Sequence, residues 1–257
     1  AGAFANSVYW CNADRLDEPD PETKCPPQLY SLNAVAYESL LLGAFYIHLG
    51  PPNEVCSKEK FPKITEIKLG YSRDGFHWHR PDRRAFIPAS RIEGSWDRGY
   101  VHNTAGVCLI DGDRLLFPYC AFSGIAPDGS RGMYHGASVG IATLRRDGFA
   151  SMDADEKGGT LTTRPIVFSG KHLFVNASCP QGELRAEVLD AGTFQALSSA
   201  FAAAAIDSTR QHLGDVSAFA GRPVRLRFIL RRGALYAFWV SRDAAGRSDG
   251  YIAGGGP

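Results

Sequence analysis

Apolar and polar residues alternate along RPVRLRFIL (222–230), which puts Val224, Leu226 and Phe228 on one side and arginines on the other. That period of two is the pattern of a half-buried strand. Similar runs fill the chain and predict a first meander of strands: QLYSLNAVAY (28–37), LLLGAFYIHL (40–49), ITEIKLGYS (64–72) and FHWHR (76–80). The pattern then recurs as YVHNTAGVCLI (100–110), RLLFPYCAF (114–122) and ASVGIATLR (137–145), with a hairpin turn at Asp111-Gly112-Asp113. The tetrapeptide RDGF stands at Arg73–Phe76 and again at Arg146–Phe149. Asp and Gly suit a tight turn, so RDGF predicts the link between the third and fourth strand of each repeat.

Successive four-stranded meanders suggest propeller blades, with a sandwich of hairpins as the alternative. From about residue 159 the strands become evenly spaced: GTLTTRPIVF, KHLFVNAS, ELRAEVLD, STRQHL, RPVRLRFIL and ALYAFWVS. This predicts a β-sandwich, with AFAAAAI (200–206) as a brief helix or loop and AGGGP as a tail. NSVYWCN (6–12) reads as the outer strand of a preceding blade. The expected fold is therefore all-β: a partial β-propeller of about two four-stranded blades plus a strand over 1–157, then a β-sandwich over 158–257.

Charge narrows the function classes. With 28 basic and 27 acidic residues the chain lacks the basic excess of a nucleic-acid binder. No apolar run reaches the length of a membrane span. The chain opens AGAFANSVYW without an initiator Met, which reads as a mature or partial chain. Six cysteines (11, 25, 56, 108, 120 and 179) include no CxxC pair, against a zinc site. Three of them lie in polar, Pro-rich segments, which leans toward a secreted, oxidised protein with at least one disulfide; buried free thiols are the alternative. The sequon Asn176-Ala177-Ser178 permits the same reading. His77 and His79 form an HxH pair without a third ligand nearby. No GxSxG elbow, phosphate loop or dinucleotide fingerprint is present, and neither cofactor nor metal is expected.

The segments SRDGFHW, TLRRDGF, GTLTTRP, GRPVRLRF and LYAFWVS resemble bacterial proteins related to glycoside hydrolase family 32. Those belong with the five-bladed propeller hydrolases of families 32, 43 and 68. The resemblance spans residues 26–252 or so and implies a propeller followed by a sandwich, and a carbohydrate ligand; the cysteines are what point to an extracellular setting. The resemblance also implies that the remaining blades come from an N-terminal segment or a separate chain, a protein partner that would make the propeller whole. In the family, two carboxylates at the starts of innermost strands face a central funnel and flank the glycosidic bond. The nucleophile belongs to a first blade not found here, and Gln28 occupies the place of the acid Glu. An amide cannot donate a proton to a leaving oxygen.

Blade geometry sorts the polar residues by face. Glu38, Asp74, Asp111, Asp113 and Asp147 fall at lower-face turns, where carboxylates serve the turn itself; a register slip would make Glu38 a general acid. Gln28, Tyr30, His48, Trp96, Asp97, Tyr100, His102, Asn103 and His135 fall on the upper face. WDRGYVHN (96–103) is the densest group, with Asp97 as the catalytic candidate and the other eight as substrate-binding candidates. Aromatic rings beside imidazoles and amides suit a sugar. Two functions follow: a glycoside hydrolase acting on oligosaccharides or polysaccharides, or a non-catalytic carbohydrate-binding or structural assembly subunit.

Overall fold

The computed structural model describes residues 7–103 and 106–250. The fold is all-β, as expected, and the strands are gathered into three antiparallel sheets. The chain forms two compact units, one built from residues before Asp111 together with 116–143, the other from 111–115 and 144–249. Among the described residues no helix is long and apolar enough to cross a membrane.

In the first unit, β1 (Gln28–Tyr37), β2 (Leu40–Gly50), β3 (Ile64–Ser72) and β4 (Trp78–His79) pair in chain order as a four-stranded meander. The short helix α1 (Asn53–Glu59), of about two turns, lies in the β2–β3 connection. β2 is central and buried on both faces, which is why LLLGAFYIHL reads as a continuous apolar run. The first RDGF turn forms as expected. The Asp74 carboxylate accepts the N–H groups of Phe76 and His77 at 2.9 and 2.8 Å, and Gly75 takes φ 77°. Trp78 then closes the turn by donating its indole N–H to Gly75 O at 3.0 Å and packing edge-on against Phe45, 5.6 Å away. Gly43 makes that possible, because a Cβ there would lie 2.5 Å from the Trp78 ring. His77 is bound to Asp74 and His79 stacks on Tyr71, so the HxH pair serves the turn and the sheet.

The segment 7–27 is irregular, which corrects the expectation of a strand at NSVYWCN; Asn6 lies outside the described residues. Its carboxylates are drawn to cations rather than to a ladder. Asp17 accepts from Arg80 at 2.7 and 2.9 Å, and Asp20 accepts from Arg91 at 2.6 Å. Trp10 packs on Trp78 with ring centres 6.3 Å apart.

The second sheet holds β5 (Gly99–Asn103), β6 (Leu109–Asp111), β7 (Arg114–Phe122) and β8 (Ala137–Arg145). The expected strand YVHNTAGVCLI is broken into β5 and β6, both pairing with β7; Gly106 and Val107 between them take φ 79° and 53°. The second RDGF makes a turn, with Asp147 at φ 57° and the Gly148 N–H on Arg145 O at 2.9 Å. The next strand, β9 (Met152–Ala154), leaves this sheet and pairs in the third. Phe76 is followed by His-Trp, whose indole pulls the chain back onto β3, whereas Phe149 is followed by Ala-Ser, which offers no such anchor.

The third sheet contains β9, β10 (Gly159–Thr162), β11 (His172–Asp190), β12 (Phe201–Asp215), β13 (Val224–Arg231) and β14 (Gly233–Ser241). KHLFVNAS and ELRAEVLD, expected as separate strands, are both parts of β11, joined through Pro180-Gln181-Gly182. Along β11, residues 172–178 pair with β14 and 183–190 with β13. Leu173 and Val175 from one half and Leu184, Val188, Leu226 and Phe228 from the other share a single core. The layers of the expected sandwich are thus two halves of one sheet. From Phe201 onward AFAAAAI lies in β12, in neither a helix nor a loop: Ala202, Ala203 and Ala204 face Arg185, Leu184 and Glu183 across the ladder. Those inter-strand bonds override alanine's helix preference.

Two chemical expectations are corrected here. All six cysteines are free, so no disulfide forms. Asn176 is 0% exposed, donates its amide N–H to Arg146 O at 2.6 Å and accepts from Arg145 Nε at 2.8 Å. A sequon asparagine so enclosed offers no nitrogen to a glycan. Asn176→Ala is expected to cost about 2 kcal/mol, because it removes the partner of the Arg146 carbonyl and of Arg145 Nε and leaves a gap at a fully buried position; urea unfolding of the variant measures it.

Candidate functional site

The site lies in the first unit, where β1 begins, β2 ends and β3 starts. The strand register lines up Gln28, His48 and Thr65 across these three strands, on one face. A bulge between Leu29 and Ser31 takes Tyr30 out of alternation. Its ring then stacks on His48, with centres 4.7 Å apart.

Lys63, the residue before β3, stands at the centre. Its Nζ donates to the Tyr30 hydroxyl at 3.2 Å. It also lies 5.1 Å from the Tyr30 ring centre, 5.0 Å from Tyr100 and 5.6 Å from Tyr134. Three aromatic faces therefore surround one ammonium, the geometry of a cation–π cage.

Backbone contacts place the cage walls. The Tyr100 N–H donates to Lys63 O at 2.7 Å, fastening β5 beside the start of β3. Gly99 permits this approach, since a Cβ on it would lie 2.5 Å from the same oxygen. Tyr134 comes from the Gly/Ser/Pro-rich loop between β7 and β8. That loop is tied at its base by Ser123 N–H on Gly136 O at 3.2 Å and Gly124 N–H on His135 O at 2.9 Å. Tyr100 also meets His102, Phe122 and Tyr134 at 5.2, 5.2 and 5.6 Å, which extends the cage into an aromatic patch.

Lys63 is only 4% exposed. Burial pulls its ammonium pKa down, but the hydrogen bond to Tyr30 and the surrounding tyrosines outweigh that, and the net shift is upward. No carboxylate among the described residues forms an ion pair with it. His48, 6% exposed, is pushed below the usual histidine range by burial and by the Lys63 charge. Both effects favour its uncharged imidazole. Its Nδ1 has no hydrogen-bond partner, and neither has the Thr65 hydroxyl directly across the ladder.

Of the residues singled out from sequence, the fold gathers Tyr30, His48, Tyr100 and His102, with Gln28 exposed at the end of the same row. Asn103 ends β5, and its side chain lies outside the described residues. Asp97 sits in the turn before β5, where its carboxylate accepts from the Ser95 hydroxyl and its carbonyl from the Ser90 N–H. Trp96 packs on Tyr119, 5.3 Å between centres, and over Gly140. His135 is held within its loop by Ser130, 3.3 Å from that carbonyl. Glu38 occupies the β1–β2 hairpin at φ 50°, at the far end of β1 from Tyr30. Lys63 and Tyr134 are members that the sequence did not reveal.

No family model and no curated protein matches the chain. Among solved structures, it is similar to a glycoside hydrolase family 43 arabinoxylan arabinofuranohydrolase from Bacillus subtilis in complex with cellotetraose, at 9% identity and a TM-score of 0.25. The match covers 83% of this chain and 54% of that one, so the chain spans about half its length.

Proposed function

We propose that the protein binds carbohydrate at the tyrosine-lined end of its first sheet, and that the site as built serves binding rather than cleavage. The observation that carries this is the convergence of Tyr30, Tyr100 and Tyr134 on Lys63, with His48 stacked alongside. Ring faces suit the C–H faces of a sugar, while phenol, imidazole and ammonium groups bond its hydroxyls. Glycoside hydrolysis needs two carboxylates flanking one bond, roughly 5–10 Å apart. Glu38 lies at the other end of β1, and the Asp97 carboxylate is engaged by Ser95. The hydrolase reading therefore requires carboxylates from outside this cluster.

Tyr134 is the cleanest probe, because it is the most exposed wall of the cage, at 50%. Tyr134→Ala is expected to weaken retention on a panel of immobilised oligosaccharides by about tenfold, with circular dichroism unchanged. Wild-type protein retained by no member of the panel, or a variant retained as well as wild type, would refute the assignment.

A further inference from the structure

Building on that carbohydrate reading, we propose that the saccharide this site takes is acidic, with a carboxylate or sulfate group seated against Lys63. The cage holds a cation without a counter-ion: Lys63 Nζ is bonded to the Tyr30 hydroxyl, and no carboxylate among the described residues pairs with it. An ammonium has three donors, so the bonds to Tyr30 and Tyr134 leave one for a ligand oxygen. A second cation with an unpartnered nitrogen lies close by in the chain path. Arg98 Nη1 is buried without a partner, and its guanidinium lies 5.8 Å from the Phe61 ring, two residues before Lys63. Glu93, whose charge acts on Arg98, is itself bonded to Arg131 at 2.6 Å.

The neutral groups complete the picture. His48 Nδ1 and Thr65 Oγ1 are both buried and unpartnered, and they stand opposite each other on β2 and β3. Buried polar atoms of this kind are rare in native proteins and mark a missing partner. The hydroxyls of a sugar ring can both donate to an imidazole nitrogen and accept from a threonine hydroxyl. Tyr30 and Tyr134, the two exposed walls, border the ammonium, and an anionic group entering between them would meet Nζ. A neutral sugar would satisfy His48 and Thr65 but leave Lys63 with its tyrosine contacts and no counter-charge. An acidic sugar answers all three.

The test compares three ligands by titration calorimetry: α-1,4-linked trigalacturonate, its fully methyl-esterified form, and a sulfated galactose trisaccharide. The ester keeps the skeleton and loses only the charge. Trigalacturonate or the sulfated sugar is expected to bind at least about tenfold more tightly than the ester, with an advantage that shrinks as salt is raised. Which of the two binds identifies carboxylate or sulfate. Lys63→Gln should weaken both ligands but erase the advantage, bringing the acid-to-ester affinity ratio measured on the variant to within about twofold of one. Should that variant fail to fold, the salt series on wild-type protein still decides. Equal, salt-independent binding of acid and ester, or binding of the ester alone, overturns the acidic ligand and leaves carbohydrate binding intact. If none of these binds but neutral oligosaccharides do, the acidic ligand also falls; if no saccharide binds at all, both readings fall together.

Discussion

Asp17→Ala is expected to destabilise the first unit by about 3 kcal/mol, the range found when one member of a buried charge group is removed. The Asp17 side chain is 0% exposed and accepts from Arg80 at 2.7 and 2.9 Å, with Lys68 at 3.7 Å and Arg83 at 3.4 Å. Alanine would leave Arg80 and Lys68, themselves buried, with little compensation. Asp14 keeps one bond to Arg80 at 3.0 Å, which sets the cost at the lower end of that range. The irregular segment 7–27 would loosen first, because this cluster fastens it beneath β3 and β4. Burial alone would raise the Asp17 carboxyl pKa, but the hydrogen bonds from Arg80 overcome it and the net shift is downward. A carboxyl held below its unfolded value of about 3.9 stabilises the fold above that pH and ceases to do so as pH falls through the lower, folded value. Asp14 and Asp20 are lowered as well. The wild-type protein should therefore lose stability steeply below about pH 4, and Asp17→Ala less steeply. Urea unfolding at pH 7 and pH 3, monitored through the fluorescence of Trp10 and Trp78, measures both effects. A loss under about 1 kcal/mol at pH 7, the value of a surface pair, would show that the cluster does not hold the segment.

Local pattern carried the fold further than it carried the site. Period-two alternation and Gly/Asp turns were enough to lay out the first meander, because each strand there pairs with its chain neighbour. The second RDGF shows where local reading ends: the same four residues make the same kind of turn, yet the residues after the Phe decide which sheet the chain joins. Pro180-Gln181-Gly182 reads as a loop and splits β11 in two on paper. In the fold β12 runs alongside both halves while β14 pairs with the first and β13 with the second, so the three residues become an irregularity within one strand. AFAAAAI was misleading for the same reason, since strand pairing is a tertiary property and alanine's preference is a weak one.

For the site, the legible residues were those at the entrance of strands: Tyr30, His48, Tyr100 and His102. Lys63 was invisible because a lysine ahead of a strand, in KFPKITEI, ordinarily points into solvent. Its burial follows from Tyr100 and Tyr134, which lie far along the chain and close over it only once β5 runs beside β3. Tyr134 sits among the Gly and Ser residues of a long loop, where an aromatic residue carries no periodic signal. A conspicuous aromatic in an otherwise polar loop is the one clue that the sequence offered.

Gly182→Ala is expected to damage the second unit as severely as Asp17→Ala damages the first, by about 3 kcal/mol or more, through the overpacking of a backbone contact. A Cβ at Gly182 would lie 1.9 Å from Arg231 O and 2.7 Å from Arg232 O, and neither carbonyl can move as a side chain would. Arg231 is the last residue of β13 and faces Glu183, the first rung of the β11–β13 ladder. Arg232, at φ 49°, is the single residue between β13 and β14. Pushing these carbonyls away displaces the joint at which two pairs of strands change partners. The core is shared across that joint: Leu184, Phe228 and Leu230 on one side meet Leu173, Val175 and Leu235 on the other. Gly192→Ala is the matched control, because its added Cβ would meet only Asp190 Oδ1, at 3.6 Å, an ordinary contact. That variant should stay within about 0.5 kcal/mol of wild type. Urea unfolding monitored through Trp239 separates the two. Equal stability of the variants would mean that the Pro180–Gly182 joint gives way easily, and that the two halves of the sheet keep their common core without it.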